Sequence, residues 1–289
     1  MMIMMSGLAR TMLLMGVLTG LLVLVGGVVG YLTGLPMTST LTFALMMAVI
    51  LNLLMYFFAD RWVLAMYRAR VVSEEEAPTL HRMVERLAKN AGIPKPKVAI
   101  IPTDVPNAFA TGRSPSHSVV AVTKGALDLL SDEELEGVLA HEVAHVKNRD
   151  MLINTIAAVI GAAITYAMYL AIFAGGRRNR DASWLALLLL PVVPFAAMLV
   201  RLAISREREY GADASGASIS KKPLALASAL RKIQNSVVSR PLQEGNPSTS
   251  HLFIVNPFRG SSLRYLFSTH PPTEERIKRL EWMAKTGTY

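Results

Sequence analysis

From Thr11 to Ala59 the chain carries no charged residue. A helix crosses the ~30 Å hydrocarbon core of a bilayer with about 20 residues, because lipid leaves open backbone groups unsatisfied and a helix satisfies its own. The block is long enough for two crossings. At 33–40 the stretch "TGLPMTST" inserts Gly34, Pro36 and small polar residues midway, where one helix ends and another begins. The expectation is a hairpin of two spans. It is an uncleaved anchor, since the first apolar run is too long for a signal peptide, lacks an A-x-A-like site and is followed at once by the second.

Two further uncharged runs lie between Asp150 and Arg177 and between Asp181 and Arg201, the latter carrying Pro191 and Pro194, which predict a kink. The 52% hydrophobic content of the 289 residues and the mean hydropathy of +0.37 are therefore concentrated in four blocks. The chain reads as an α+β membrane protein with two to four transmembrane helices. The net charge of +9 does not point to nucleic acid: Arg10, Arg61, Arg68, Arg70, Arg177, Arg178, Arg180, Arg201, Arg206 and Arg208 flank the apolar blocks, as a headgroup collar does. By the positive-inside rule, Arg10 and the Arg61, Arg68, Arg70 group place both ends of the first hairpin in the cytoplasm and its 33–40 turn outside. The loop "GGRRNRDAS" at 175–183 conflicts with a second full hairpin, so runs three and four either both cross against the rule or lie partly within the catalytic body. No cysteine occurs, which excludes disulfides and thiolate metal sites.

Four parts follow: an N-terminal transmembrane hairpin (1–59), a cytoplasmic catalytic part with a small sheet and the "HEVAH" helix (60–150), a second apolar hairpin (151–204), and a catalytic part with C-terminal helices (205–289). In the second part Leu80, Met83, Val84, Leu87 and Ala91 recur at helical spacing up to Gly92 and Pro94. "KVAII" (97–101), "NAFATG" (107–112) and "SVVAVT" (118–123) are strand-like, and "SVVAVT" is expected as an exposed edge to which extended substrate can pair. "SDEELEGVLAHEVAHVKN" opens with a capping box, Ser131 with Glu134, so "HEVAH" sits on a helix.

On a helix, positions four apart project side by side, so His141 and His145 can reach one ion, while Glu142 on the adjoining flank can take a proton from water activated there. A catalytic zinc takes three protein ligands and keeps one open position. With no cysteine the third ligand is His, Asp or Glu. Beyond the fourth apolar run, "SREREYGADASG" offers Glu209 and Asp213 on one face: Glu209 is read as the third ligand and Asp213 as the acceptor that orients a ligand histidine. The competing reading of that pair is a salt-bridged helix face. Arg206 shares the face. Asn148, seven residues after His141, is a candidate for contact with substrate or cleft, and His270 in "STHPPTEER" a candidate for bonding an oxyanion or the substrate backbone. His81, His117 and His251 have no partner at ligand spacing and read as surface residues.

"HEVAHVKNRD", two apolar blocks and "EREYGAD", with "NAFATG" and "VVAVTKGALDLL" before and "THPP" after, closely resemble the HtpX family of bacterial membrane zinc metalloproteases. The resemblance covers essentially the whole chain, and the family is similar to the prenyl-protein endopeptidases, which share a glutamate-zincin core. It implies one Zn2+ per chain, a multi-pass protein of the bacterial inner membrane with its active site facing the cytoplasm, and cleavage of misfolded membrane proteins and unfolded proteins in quality control under stress. Two rivals remain, a membrane scaffold with a structural zinc and an ion transporter. A structural site closes with four protein ligands, and transport calls for ionisable residues inside the spans, which all four blocks lack.

Overall fold

The apolar block folds as two helices, α1 (Gly7–Thr33) and α2 (Met37–Met66), in a computed structural model that describes residues 7–152, 154–156, 206–239, 252–255 and 271–289. The helices approach closely at Gly26 and Gly30, where an added Cβ would stand 2.4 Å from Ala44 Cβ and from Thr40 Oγ1. Small residues permit this approach, which lets dispersion act between apolar helices. Asn52 Nδ2 donates to Thr19 Oγ1 at 2.8 Å and to the Met15 carbonyl at 3.4 Å, tying the pair through one interhelical amide. On its outer side α2 exposes Phe43, Leu45, Met46, Val49, Ile50 and Leu53, and it is long and apolar enough to cross a membrane; the apolar stretch of α1, Met15–Val28, is shorter. α2 does not stop with the uncharged block. It runs on through Asp60 and Arg61 to Met66, and buries Ala59 and Val63.

Those two residues rest on a four-stranded sheet of β1 (Arg70–Val71), β2 (Lys97–Ile101), β3 (Ala108–Ser114) and β4 (His117–Thr123), in the order β1-β2-β4-β3. β2 and β4 are parallel, and the other two pairings are antiparallel. One face, with Val98, Val120, Val122, Ala108 and Ala110, joins the main core; the other, with Ala99, Ile101, Phe109, Val119 and Ala121, packs on Ala59 and Val63 of α2 and on Leu152 and Ile156. Burial on both faces is why "KVAII" and "SVVAVT" are nearly unbroken apolar runs rather than alternating ones. It also corrects the expected edge. Val120 pairs with Val98 on one side and with Ala110 on the other, because the tight β3–β4 hairpin covers one flank of β4 while β2 takes the other. Among the described residues, the edge beyond β4 is β3.

α3 (Pro78–Ala91) buries Leu80, Met83, Val84, Leu87 and Ala91, as its rhythm predicts. His81, expected at the surface, is buried too, its Nε2 3.1 Å from the carbonyl of Val72, so the ring ties α3 to the chain leaving β1. α4 (Lys124–Leu129) is capped by Thr123, and α5 (Asp132–Lys147) begins with the predicted reciprocal capping box of Ser131 and Glu134. Every residue of α5 from Glu134 to Val146 is buried. The helix is enclosed by the sheet, α3, α6 (Arg206–Ser220) and α7 (Pro223–Ser239), with α8 (Thr273–Thr286) packed on α6 and α7. The whole is mostly helical with a small sheet. Of the third and fourth apolar runs, residues 151, 152 and 154–156 are helical; the rest, with Arg177, Arg178 and Arg180, lies outside the described residues.

Candidate metal centre

The four-residue spacing on α5 brings His141 Nε2 and His145 Nε2 to 3.2 Å from each other. α6 crosses α5 at this point with almost no gap: a Cβ on Gly216 would stand 2.9 Å from the backbone nitrogen of His141. The close crossing delivers the Glu209 carboxylate, with Oε2 3.7 Å from His141 Nε2 and Oε1 3.6 Å from His145 Nε2. Zn–N bonds of about 2.0–2.1 Å and Zn–O bonds of about 2.0–2.2 Å put tetrahedral donors about 3.3–3.5 Å apart. The three groups therefore fit one zinc ion, and they form the one such cluster among the described residues.

Behind each histidine stands a carboxylate held by an arginine. Asp213 Oδ1 lies 2.9 Å from His141 Nδ1, and the guanidinium of Arg276 grips Asp213 with two bonds of 2.7 and 2.8 Å. Asp150 Oδ2 lies 3.5 Å from His145 Nδ1 and accepts a 3.3 Å bond at its other oxygen from Arg208. Burial opposes a charge on Asp213, but Arg276 outweighs it and, with His141, holds the carboxyl down to about 2. His141 moves the other way. Burial lowers it, yet Asp213 and Glu209 lift it to about 9. An arginine only 1% exposed would be costly alone, and the bidentate pair with Asp213 offsets that cost.

Glu142 projects from α5 toward the sheet, where its Oε2 accepts the backbone N–H of Ala110 on β3 at 2.9 Å. Burial pushes its carboxyl up, against the pull of His141 and His145. A cavity of about 30 Å³ lies between these groups, lined by Phe109, Ala110, the three cluster residues, Glu142, Asn154 and the segment Leu252–Ile254. It has room for an ion and about one water.

The structure thus brings together His141, Glu142, His145, Glu209 and Asp213. Asn148 is not among them: α5 ends at Lys147, Asn148 is its exposed C-cap, and Arg149 turns the chain away with a φ of 59°. Arg206 is exposed, and Arg208 is the arginine of that segment that reaches inward. His117 is exposed as expected, while His251 and His270 lie outside the described residues. Sequence reasoning missed Asp150, Arg208, Arg276 and the anchoring role of Asn107. An acid five positions after His145, at the end of the quoted "HEVAHVKNRD", was the one available signal.

Residues 74–284 match peptidase family M48. A protease HtpX homolog of Pyrococcus furiosus is 56% identical over 281 residues, 95% of each chain, and one of Persephonella marina is 51% identical over 285 residues, 96% of this chain and 97% of that one. Among solved structures, the crystal structure of S. mikatae Ste24p superimposes with a TM-score of 0.51 at 15% identity, covering 95% of this chain and 65% of that one, a likeness of fold. Family match, full-length identity and a buried two-histidine, one-glutamate cluster agree, and the chain belongs to peptidase family M48, a family of metalloproteases.

Proposed function

We propose that the chain is a membrane-anchored zinc endopeptidase that cleaves misfolded or damaged membrane proteins at the cytoplasmic face. His141, His145 and Glu209 would hold the ion, leaving one position open, and Glu142 is the general base. The observation that carries this reading is the position of Glu142, buried beside the three-donor cluster and pinned at Oε2 by the Ala110 N–H. When bound, zinc supplies Lewis acidity, which polarises a carbonyl and lowers the pKa of water. Glu142 takes the proton of the attacking water and passes it to the leaving nitrogen as the C–N bond breaks; its raised pKa brings it nearer the working pH of such a shuttle. Asp213 and Asp150 orient the two imidazoles, and Arg276 and Arg208 fix the carboxylates. The edge strand β3, whose Ala110 faces Glu142, offers backbone pairing to an extended substrate.

Anchoring is supported by the apolar outer side of α2, and the cytoplasmic side by the arginines at both ends of the first hairpin. Detergent-purified protein, stripped with a chelator and returned to zinc, is expected to cleave an unfolded substrate only with the metal. Glu142→Gln should retain about one zinc per chain and lose at least ~10²-fold in kcat, as the loss of a general base does. Hydrolysis by this variant at the wild-type rate overturns the mechanism.

A further inference from the structure

As the described residues line it, the cleft beside Glu142 is narrow. Its cavity of about 30 Å³ holds roughly one water, whereas a substrate must lay several residues beside Glu142. Most of the lining belongs to regular elements buried in the core, and the exception is the short segment at 252–255. Leu252, Phe253 and Ile254 are each buried against the cleft, Phe253 with its ring edge-on to Tyr67 at 6.0 Å, and Tyr67 in turn against Phe109 at 5.5 Å. The polar anchoring of the segment is all to its backbone. Asn107, at the head of β3, donates from Nδ2 to the carbonyl of Leu252 at 3.1 Å and accepts the N–H of Ile254 at 3.0 Å, while Arg276 donates to the carbonyl of Ile254 at 3.2 Å. The segment is a turn of bends rather than a strand, and it is held through its backbone groups while its apolar side chains fill the cleft.

We propose that residues 252–255 are a built-in occupant of the substrate cleft, displaced when substrate binds, and that the site takes polypeptide with apolar side chains in their place. The inference rests on the protease reading of the cleft and extends it to the class of substrate. Displacement leaves the ground under Leu252, Phe253 and Ile254 open to water, a loss proportional to the apolar area uncovered. A polar peptide does not restore that area and an apolar one does. The occupant therefore screens substrates: an unfolded apolar stretch enters, and an ordinary polar loop does not.

The test uses full-length, zinc-loaded Glu142→Gln in detergent, with hydrogen exchange read at the amides of residues 252–255. The probes are an extended ten-residue Leu- and Phe-rich peptide and a counterpart with serine at the apolar positions. The apolar peptide should raise exchange of the Ile254 amide at least tenfold, and the serine peptide should leave it protected. Unchanged or increased protection with the apolar peptide, while the wild-type enzyme cleaves that same peptide, makes the segment a fixed wall and overturns the proposal. Failure of the wild-type enzyme to cleave either peptide would instead remove the protease reading beneath it. As a second measurement, Phe253→Ala should raise kcat/KM for the serine peptide several-fold at unchanged zinc content, and equal or lower kcat/KM counts against displacement.

Discussion

His141 and His145 differ in how firmly their outer nitrogens are held. The contact of Asp213 is 2.9 Å with a doubly bonded arginine behind it, and that of Asp150 is 3.5 Å with a single bond from Arg208. Loss of such an outer partner lowers metal affinity by about 10–100-fold. Asp213→Ala should fall at the upper end of that range and Asp150→Ala at the lower, measured by zinc competition with a chromogenic chelator; equal losses would show that the distances do not rank the two supports. The pair Glu209 and Asp213 was legible in the sequence because both lie on one helix four residues apart. Arg276 was not. It stands in a charged helix start that reads as solvated surface, and Asp213, which it bonds, lies 63 positions away. Local pattern carries no trace of a contact that only the crossing of α6 and α8 creates.

The crossing of α5 and α6 depends on one missing methyl group. Gly216→Ala sets a Cβ against the backbone of His141 at 2.9 and 3.0 Å, where neither partner is a flexible side chain. The helices must separate, at a cost of about 1–3 kcal/mol, and zinc affinity should fall with stability because Glu209 rides on α6. Gly211→Ala on the same helix meets nothing within 4 Å and should stabilise by about 0.5–1 kcal/mol; thermal melts with and without zinc compare the two. α5 is also tied to α7 through Glu134, which accepts bonds from Ser228 and Lys232 at 2.7 Å and from Ser131 N–H at 2.9 Å. Burial raises this carboxyl, but the three donors together pull it down from 4.5 to about 2. A group lowered in the fold contributes stability that is fully present above about 4.5 and is lost as pH falls toward 2. Between those limits the wild type should lose stability more steeply than Glu134→Gln in acid titrations followed by circular dichroism. Helices and caps were legible here, since Ser131 with Glu134 and the rhythm of α3 are local signals. Strand order was not, because an apolar run buried on both faces reads the same at an edge as in the interior, and only the pairing of β2 with β4 across the chain decides it.

At the scale of the molecule, the proposed crossing of α1 and α2 makes a topological prediction. The chain has no cysteine of its own, so single cysteines at Thr38, beside the hairpin turn, and at Ser116, exposed in the β3–β4 turn, report their sides with a membrane-impermeant thiol reagent. Thr38→Cys should be labelled on intact cells and Ser116→Cys only after lysis; the reverse pattern would turn the protein over. α2 does not end at a linker. Its last turns, with Ala59 and Val63, are part of the core under the sheet, and Tyr67 just beyond them touches Phe109 and Phe253. The proposed anchor, joined to the cleft in this way, would hold the cutting point at a constant altitude above the lipid. A membrane-bound substrate of the proposed kind would then be cut by distance as well as by sequence. With about 3.3 Å gained per extended residue, spacer residues inserted next to its last membrane segment should leave the cut a fixed number of residues from the membrane, and so shift it along the sequence one position per residue added.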